Sequence, residues 1–95
     1  MGSDLDQRLR ALANPIRRQI LTLCWGEARA AGDLSSRVDL APASVSEHLR
    51  TLLEADLVEV TRSGTWRFYR TNQVTVTKTL EQLEADLSPA RENIS

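Results

Sequence analysis

Apolar residues recur at helical spacing through most of the chain. The first stripe, Leu5, Leu9 and Leu12, follows acidic residues that favour a helix start. A second helix is predicted after Asn14 and Pro15, an N-cap followed by a proline at the first helical position, with its stripe ending near Gly26. A third, short helix is predicted over residues 30–37. A tight turn at residues 38–41 then leads into a fourth helix.

The fourth helix is predicted over residues 42–55, with Pro42 at its first position. Leu40 and Val45 fit a hydrophobic staple if Ala41 is the cap. Its buried face consists of Val45, Leu49, Leu52 and Leu53. Its opposite face is small and polar at the N-terminal half, so it can approach another surface closely: Ala43, Ser46, Glu47, Arg50 and Glu54.

Residues 57–62 and 66–71 alternate as strands do, and Ser63, Gly64 and Thr65 supply the turn of a hairpin. Trp66 and Phe68 alternate with Arg67 and Tyr69, so one pair faces the core and the other faces outward. A last helix over residues 74–87 carries a seam spaced like that of a coiled coil: Val76, Leu80, Leu83 and Leu87.

A pair of helices followed by a hairpin is the order of a winged helix-turn-helix. The predicted fold is therefore mainly α with a small β-hairpin, in the order α-α-α-α-β-β-α. We expect a single DNA-binding domain over residues 1–95, with an ordered core at about 4–87 and a tail at 88–95. The apolar stripes of the terminal helices predict a homodimer interface: Leu5, Leu9, Leu12, Val76, Leu80, Leu83 and Leu87.

Composition narrows the function classes. The chain has 95 residues and one cysteine, which excludes an internal disulfide scaffold. It has no apolar run of about 18 residues, so no membrane partner is expected. Its first residues lack the basic flank and apolar core of a secretion signal, which favours a cytoplasmic protein.

The net charge of −1 hides a local excess of arginine. Between residues 62 and 70 the charged residues are Arg62, Arg67 and Arg70, beside three aromatic residues. Eleven of the twelve basic residues are arginine, which suits bidentate contacts to phosphate and guanine. This pattern favours double-stranded DNA as a partner, although an ordinary solvated strand gives the same pattern.

Three blocks in the right order resemble a known family. ALANPIRRQIL at residues 11–21, VSEHLRTL at residues 45–52 and the following Leu57 and Val58 are similar to the ArsR/SmtB-type bacterial transcriptional repressors. The resemblance covers about residues 5–87. It implies a homodimeric repressor whose recognition helices read successive major grooves of an imperfect palindrome.

The resemblance also implies which residues contact DNA. Base-reading positions map onto the start of the fourth helix, with Arg50 near phosphate: Pro42, Ala43, Ser44, Ser46, Glu47 and His48. A basic hairpin tip maps onto Arg62, Ser63, Gly64, Thr65 and Arg67, and Arg17 and Arg18 are candidates for additional phosphate contacts. Each group has a plain structural alternative: His48 as a wedge at the edge of the core, Glu47 as a solvated residue, and Arg17 and Arg18 as a solvated face or a dimer salt bridge.

Departures from the family pattern argue against a cofactor. Metal sensors of the family carry paired cysteines near the third helix, or Asp and His ligands on the last helix, and neither set is present. One Cys and one His on separate helices do not make a typical zinc site. Cys24 lies on an apolar stripe and is expected to be a core thiol. Asp56 replaces a glycine usual after the recognition helix, so it must either hold or relax a left-handed C-cap at some cost in strain.

No nucleophile and base pair, glycine-rich phosphate loop or acid pair is present, so an enzyme is not expected. The alternatives to a metal-independent repressor are a metal- or thiol-responsive sensor of the same fold and a winged-helix module for protein contacts. No motif encodes the operator or the inducer.

Overall fold

The computed structural model describes residues 4–92. Within this part of the chain the predicted order is confirmed, with one short strand added between the second and third helices. The elements are α1 (Asp4–Leu12), α2 (Pro15–Leu23), β1 (Arg29–Ala30), α3 (Ala31–Val38), α4 (Pro42–Glu54), β2 (Val58–Ser63), β3 (Trp66–Thr71) and α5 (Gln73–Glu92).

The core joins α2, α3 and α4 to the base of the hairpin. The predicted stripes point inward, and the side chains fully shielded from solvent include Ile20, Leu34, Leu49, Leu52 and Leu57. Each such side chain contributes about 1.5–3 kcal/mol through burial. Cys24 is also fully buried, which confirms its assignment as a core thiol.

Both ends of α4 are defined by local chemistry. Ala41 precedes it in an extended conformation without a side-chain cap, and Pro42 needs no amide partner. At the other end Asp56 adopts the expected left-handed conformation, with φ 60°. The Leu57 amide donates to Leu52 O at 2.9 Å and the Asp56 amide donates to Leu53 O at 3.0 Å. These are the paired bonds of a Schellman motif, so the chain leaves α4 at a fixed angle toward the hairpin.

The strands form one antiparallel sheet in the order β1-β3-β2. Ser63 pairs with Trp66, and Gly64 at the tip has φ +61°, as the first central residue of a type II′ turn requires. The strand β1 was not predicted. Its residues Arg29 and Ala30 pair with Tyr69 and Phe68, and this pairing covers part of the outer edge of β3.

Some predicted boundaries were wrong. The helix α2 ends at Leu23 rather than near Gly26, and α3 begins one residue later than expected. The last helix continues to Glu92, so residues 88–92 are helical rather than part of a tail. Residues 93–95 lie outside the described residues. Pro89 is inside this helix, where it removes one amide donor and its ring crowds the carbonyl four residues earlier.

The terminal helices α1 and α5 pack against each other within the chain. Arg8 Nε donates to Thr79 Oγ1 at 2.7 Å, and the Thr79 side chain is buried. Leu5 and Val76 are each 8% exposed within the chain, so most of their surface is covered without a second subunit. Leu80 and Leu87 are 55% and 51% exposed, whereas Leu9, Leu12 and Leu83 are partly buried.

Across residues 4–92 no helix combines the length and the apolar character needed to cross a membrane.

Candidate nucleic-acid interface

The helix α4 presents a continuous solvent-facing surface opposite its buried stripe. The predicted base-reading residues at its start are exposed, with the exception of His48, which is partly buried: Pro42, Ala43, Ser44, Ser46 and Glu47. The side chains of Glu47 and Arg50 are also exposed and stand 3.5 Å apart. An exposed pair at this distance adds little stability, so both groups are available to a ligand.

The wing places two arginines directly opposite each other. Arg62 and Arg67 are cross-strand partners at the hairpin tip, and both are exposed. Neither arginine side chain has an ion-pair or hydrogen-bond partner among the side chains of residues 4–89. Like charges facing each other across a strand pair are destabilising, so this arrangement is costly unless an anion lies between them.

The two faces of the wing differ. Val58, Tyr69 and Thr71 point toward the core. Side chains alternate along a strand, so Arg62 and Arg67 project from this same face, beyond the edge of the core. Val58 and Tyr69 belong to the same buried cluster as Leu49 and Leu52 of α4, so the arginines lie on the side of the sheet that faces α4. Trp66 and Phe68 are on the outer face, with ring centroids 6.3 Å apart, which resolves the alternation that the sequence left open. The turn residues Ser63, Gly64 and Thr65 are exposed.

Arg17 and Arg18 bind the end of α1 with their side chains, a role that the spacing of residues did not predict. Arg17 Nε donates to Ala11 O at 2.7 Å and its Nη2 donates to Arg10 O at 3.1 Å, while Arg18 Nη1 donates to Leu12 O at 2.7 Å. They therefore cap the carbonyl end of α1, where positive charge is favourable. The Asn14 cap is the feature of the sequence that could have indicated these contacts. Its Oδ1 accepts from the Arg17 amide, so α2 starts directly beside the end of α1.

A polar groove of about 320 Å³ runs along one side of α4. Its lining combines both charge signs: Arg17, Ser44, Glu47, His48, Arg50, Thr51 and Glu54. Arg17 Nη1 lies 3.3 Å from His48 Nδ1, so the imidazole is tied to α2. The His48 ring is partly buried and also borders an open surface. Its position is therefore compatible both with a wedge at the edge of the core and with a contact to DNA.

The region where metal sensors carry paired cysteines is occupied by ion pairs. Asp33 accepts from Arg29 and Arg37 at 3.0 Å each, and these hydrogen bonds lower the pKa of the Asp33 carboxyl. Burial raises the pKa of the nearby Cys24 thiol to about 11. Among residues 4–92 no three His, Cys, Asp or Glu side chains come together as a metal site.

Comparison with known proteins decides the family. A family model described as a helix-turn-helix domain matches residues 12–61. The transcriptional repressor SdpR of Bacillus subtilis (strain 168) is 31% identical over 68 residues, which cover 72% of this chain and 76% of the repressor. A homodimeric winged helix-turn-helix DNA-binding domain from Mycobacterium bovis, a possible ArsR-family regulator, has a TM-score of 0.74 and 30% identity, covering 88% of this chain and 80% of that one.

The chain belongs to the ArsR-type winged helix-turn-helix transcriptional regulators. The same fold occurs in an ArsR-like transcriptional regulator from Rhodococcus sp. RHA1, with a TM-score of 0.84 and 25% identity over 96% of this chain and 86% of that one. Within this ArsR-type fold, α3 and α4 are the helix-turn-helix pair and β2 and β3 are the wing.

Proposed function

We propose that this ArsR-type chain is a homodimeric, metal-independent transcriptional repressor that binds an imperfect palindrome of double-stranded DNA in the cytoplasm. In this proposal the exposed face of α4 enters the major groove and the wing contacts the DNA backbone. The protein has no catalytic role. The observation that carries the proposal is the unbalanced Arg62 and Arg67 pair on the α4 side of the sheet, because two facing cations favour an anionic ligand such as the phosphate backbone.

The polar side chains of α4 support contacts with base edges rather than a sequence-independent attraction to the phosphate backbone. Ser46 can donate or accept, and Glu47 can accept from the cytosine amino group. A carboxylate at this position repels phosphate, so it weakens binding to random sequences and raises the ratio of specific to non-specific binding.

A second copy fits the surface that α5 leaves uncovered. Leu80 and Leu87 are half-exposed, and burying a leucine is worth about 1.5–3 kcal/mol. The similar domain from Mycobacterium bovis is homodimeric. A two-fold arrangement sets recognition helices about 34–36 Å apart, one turn of B-DNA, so the two half-sites should be separated by one helical turn.

The proposal is tested by selecting genomic DNA fragments that bind the protein and then measuring fluorescence anisotropy with an enriched duplex and its scrambled version. We expect tighter binding to the enriched duplex at each salt concentration and a linear fall of log affinity with log salt for both. Binding that shows no preference and no salt dependence would instead support a module for protein contacts.

A further inference from the structure

The guanidinium group of Arg17 connects two parts of the molecule. On one side it donates to the carbonyl oxygens of Arg10 and Ala11 at the end of α1. On the other side its Nη1 stands 3.3 Å from Nδ1 of His48 in α4. Because the Arg17 amide is also held by Asn14 Oδ1 at 3.0 Å, both the backbone and the side chain of Arg17 are fixed.

The chemistry of this contact determines which nitrogen of His48 carries the proton. A guanidinium has only donors, so Nδ1 must be the acceptor. The proton of a neutral imidazole is then on Nε2. Among residues 4–92, Nε2 has no hydrogen-bond partner, and His48 borders the open groove along α4. The ring therefore has a donor left to offer a ligand and no acceptor.

We propose that Arg17 is a positioning residue for DNA recognition: it holds His48 in the Nε2–H tautomer and in one orientation, so that the imidazole offers DNA a donor only. The inference rests on the proposed function. A donor matches a phosphate oxygen or the N7 and O6 acceptors of guanine, and it does not match the amino group of cytosine. Arg17 thereby contributes to base discrimination without touching a base.

Arg18 is a natural control for this role. It carries the same charge and donates to Leu12 O at 2.7 Å, so it caps the same end of α1, but it makes no hydrogen bond to His48. Replacing either arginine by methionine removes one charge and the side-chain bonds to α1 while keeping most of the side-chain volume. Only Arg17→Met removes the donor to the imidazole.

The first measurement needs no DNA. His48 is the single histidine of the chain, so a long-range ¹H–¹⁵N spectrum reports one imidazole. In spectra recorded at about pH 8 we expect the Nε2–H pattern in the wild-type protein and in Arg18→Met, and an averaged mixture of tautomers in Arg17→Met. A wild-type ring in the Nδ1–H form, or a mixture, would overturn the proposal even if Arg17→Met failed to fold.

The second measurement links the contact to recognition. In the wild-type background we expect Arg17→Met to reduce the ratio of enriched to scrambled duplex affinity by about 5- to 10-fold, as loss of one ordinary hydrogen bond from the imidazole to a base does. In a His48→Ala background the same change should leave the ratio within about 2-fold. Equal losses in both backgrounds would contradict the role of Arg17. If no duplex binds the wild-type protein, the proposed function and this role both fail, while an Nε2–H spectrum would still show the contact in solution.

Discussion

Removing one arginine from the wing pair should have opposite effects on stability and on DNA binding. Arg62 and Arg67 face each other at the hairpin tip. Replacing Arg62 by glutamine keeps the length and polarity of the side chain but removes the repulsion between like charges. The free energy of unfolding should therefore rise by about 0.2–1 kcal/mol at low salt.

The loss in DNA binding follows from counterion release. One phosphate contact contributes about 0.9 to the slope of log affinity against log salt. At about 0.15 M salt this corresponds to roughly 1 kcal/mol, or about a five-fold loss of affinity. Enriched and scrambled duplexes should lose affinity equally, because a phosphate contact carries no sequence information.

Arg70→Gln is the matched control. Arg70 lies on the outer face of β3 opposite Glu59, so its removal deletes an attractive pairing rather than a repulsive one. We expect a small loss of stability and an unchanged salt slope. Urea denaturation and anisotropy over a salt series measure both quantities. A salt slope that is unchanged in Arg62→Gln, or that falls equally in Arg70→Gln, would refute the role of the wing pair.

Three further outcomes are expected. The Cys24 thiol, with its pKa raised to about 11 by burial, should be only about one part in a thousand thiolate at pH 8, so an aromatic disulfide reagent should modify it only after denaturation; fast reaction of the native protein would contradict this. Asp56→Gly should raise the free energy of unfolding, measured by urea denaturation, by about 0.5–1 kcal/mol, because relief of left-handed strain exceeds the added entropy of the unfolded chain. A decrease would show that Asp56 is not strained. Leu80→Glu should give a folded monomer by light scattering and circular dichroism, whereas Val76→Glu should unfold the chain; a dimeric Leu80→Glu protein would remove α5 from the interface.

Elements with strong local signals could be predicted from the sequence. The bounds of β3 follow from the glycine of the turn and the alternation after it, and the strained residue after α4 follows from an aspartate where the family has glycine. The start of α4 follows from Pro42. In each case the determining interactions lie within a few residues, so a pattern in the sequence is sufficient.

Features that depend on distant parts of the chain could not be predicted. The two residues of β1 are too few to show a period, and they become a strand only because the edge of β3 lies beside them. The partial burial of the terminal stripes depends on how α1 meets α5. The arginine caps on α1 and the contact of Arg17 with His48 join residues from separate helices, so spacing along the chain does not reveal them.

The central claim is that two copies of this chain bind one palindrome, and the mass of the protein–DNA complex tests it most directly. Light scattering should be recorded with the enriched duplex and with a duplex in which one half-site is scrambled, at equal salt and protein concentration. We expect two chains on the intact duplex and a loss of tight binding when one half-site is scrambled. A single chain bound with full affinity to the intact duplex, or equal affinity for both duplexes, would contradict the account.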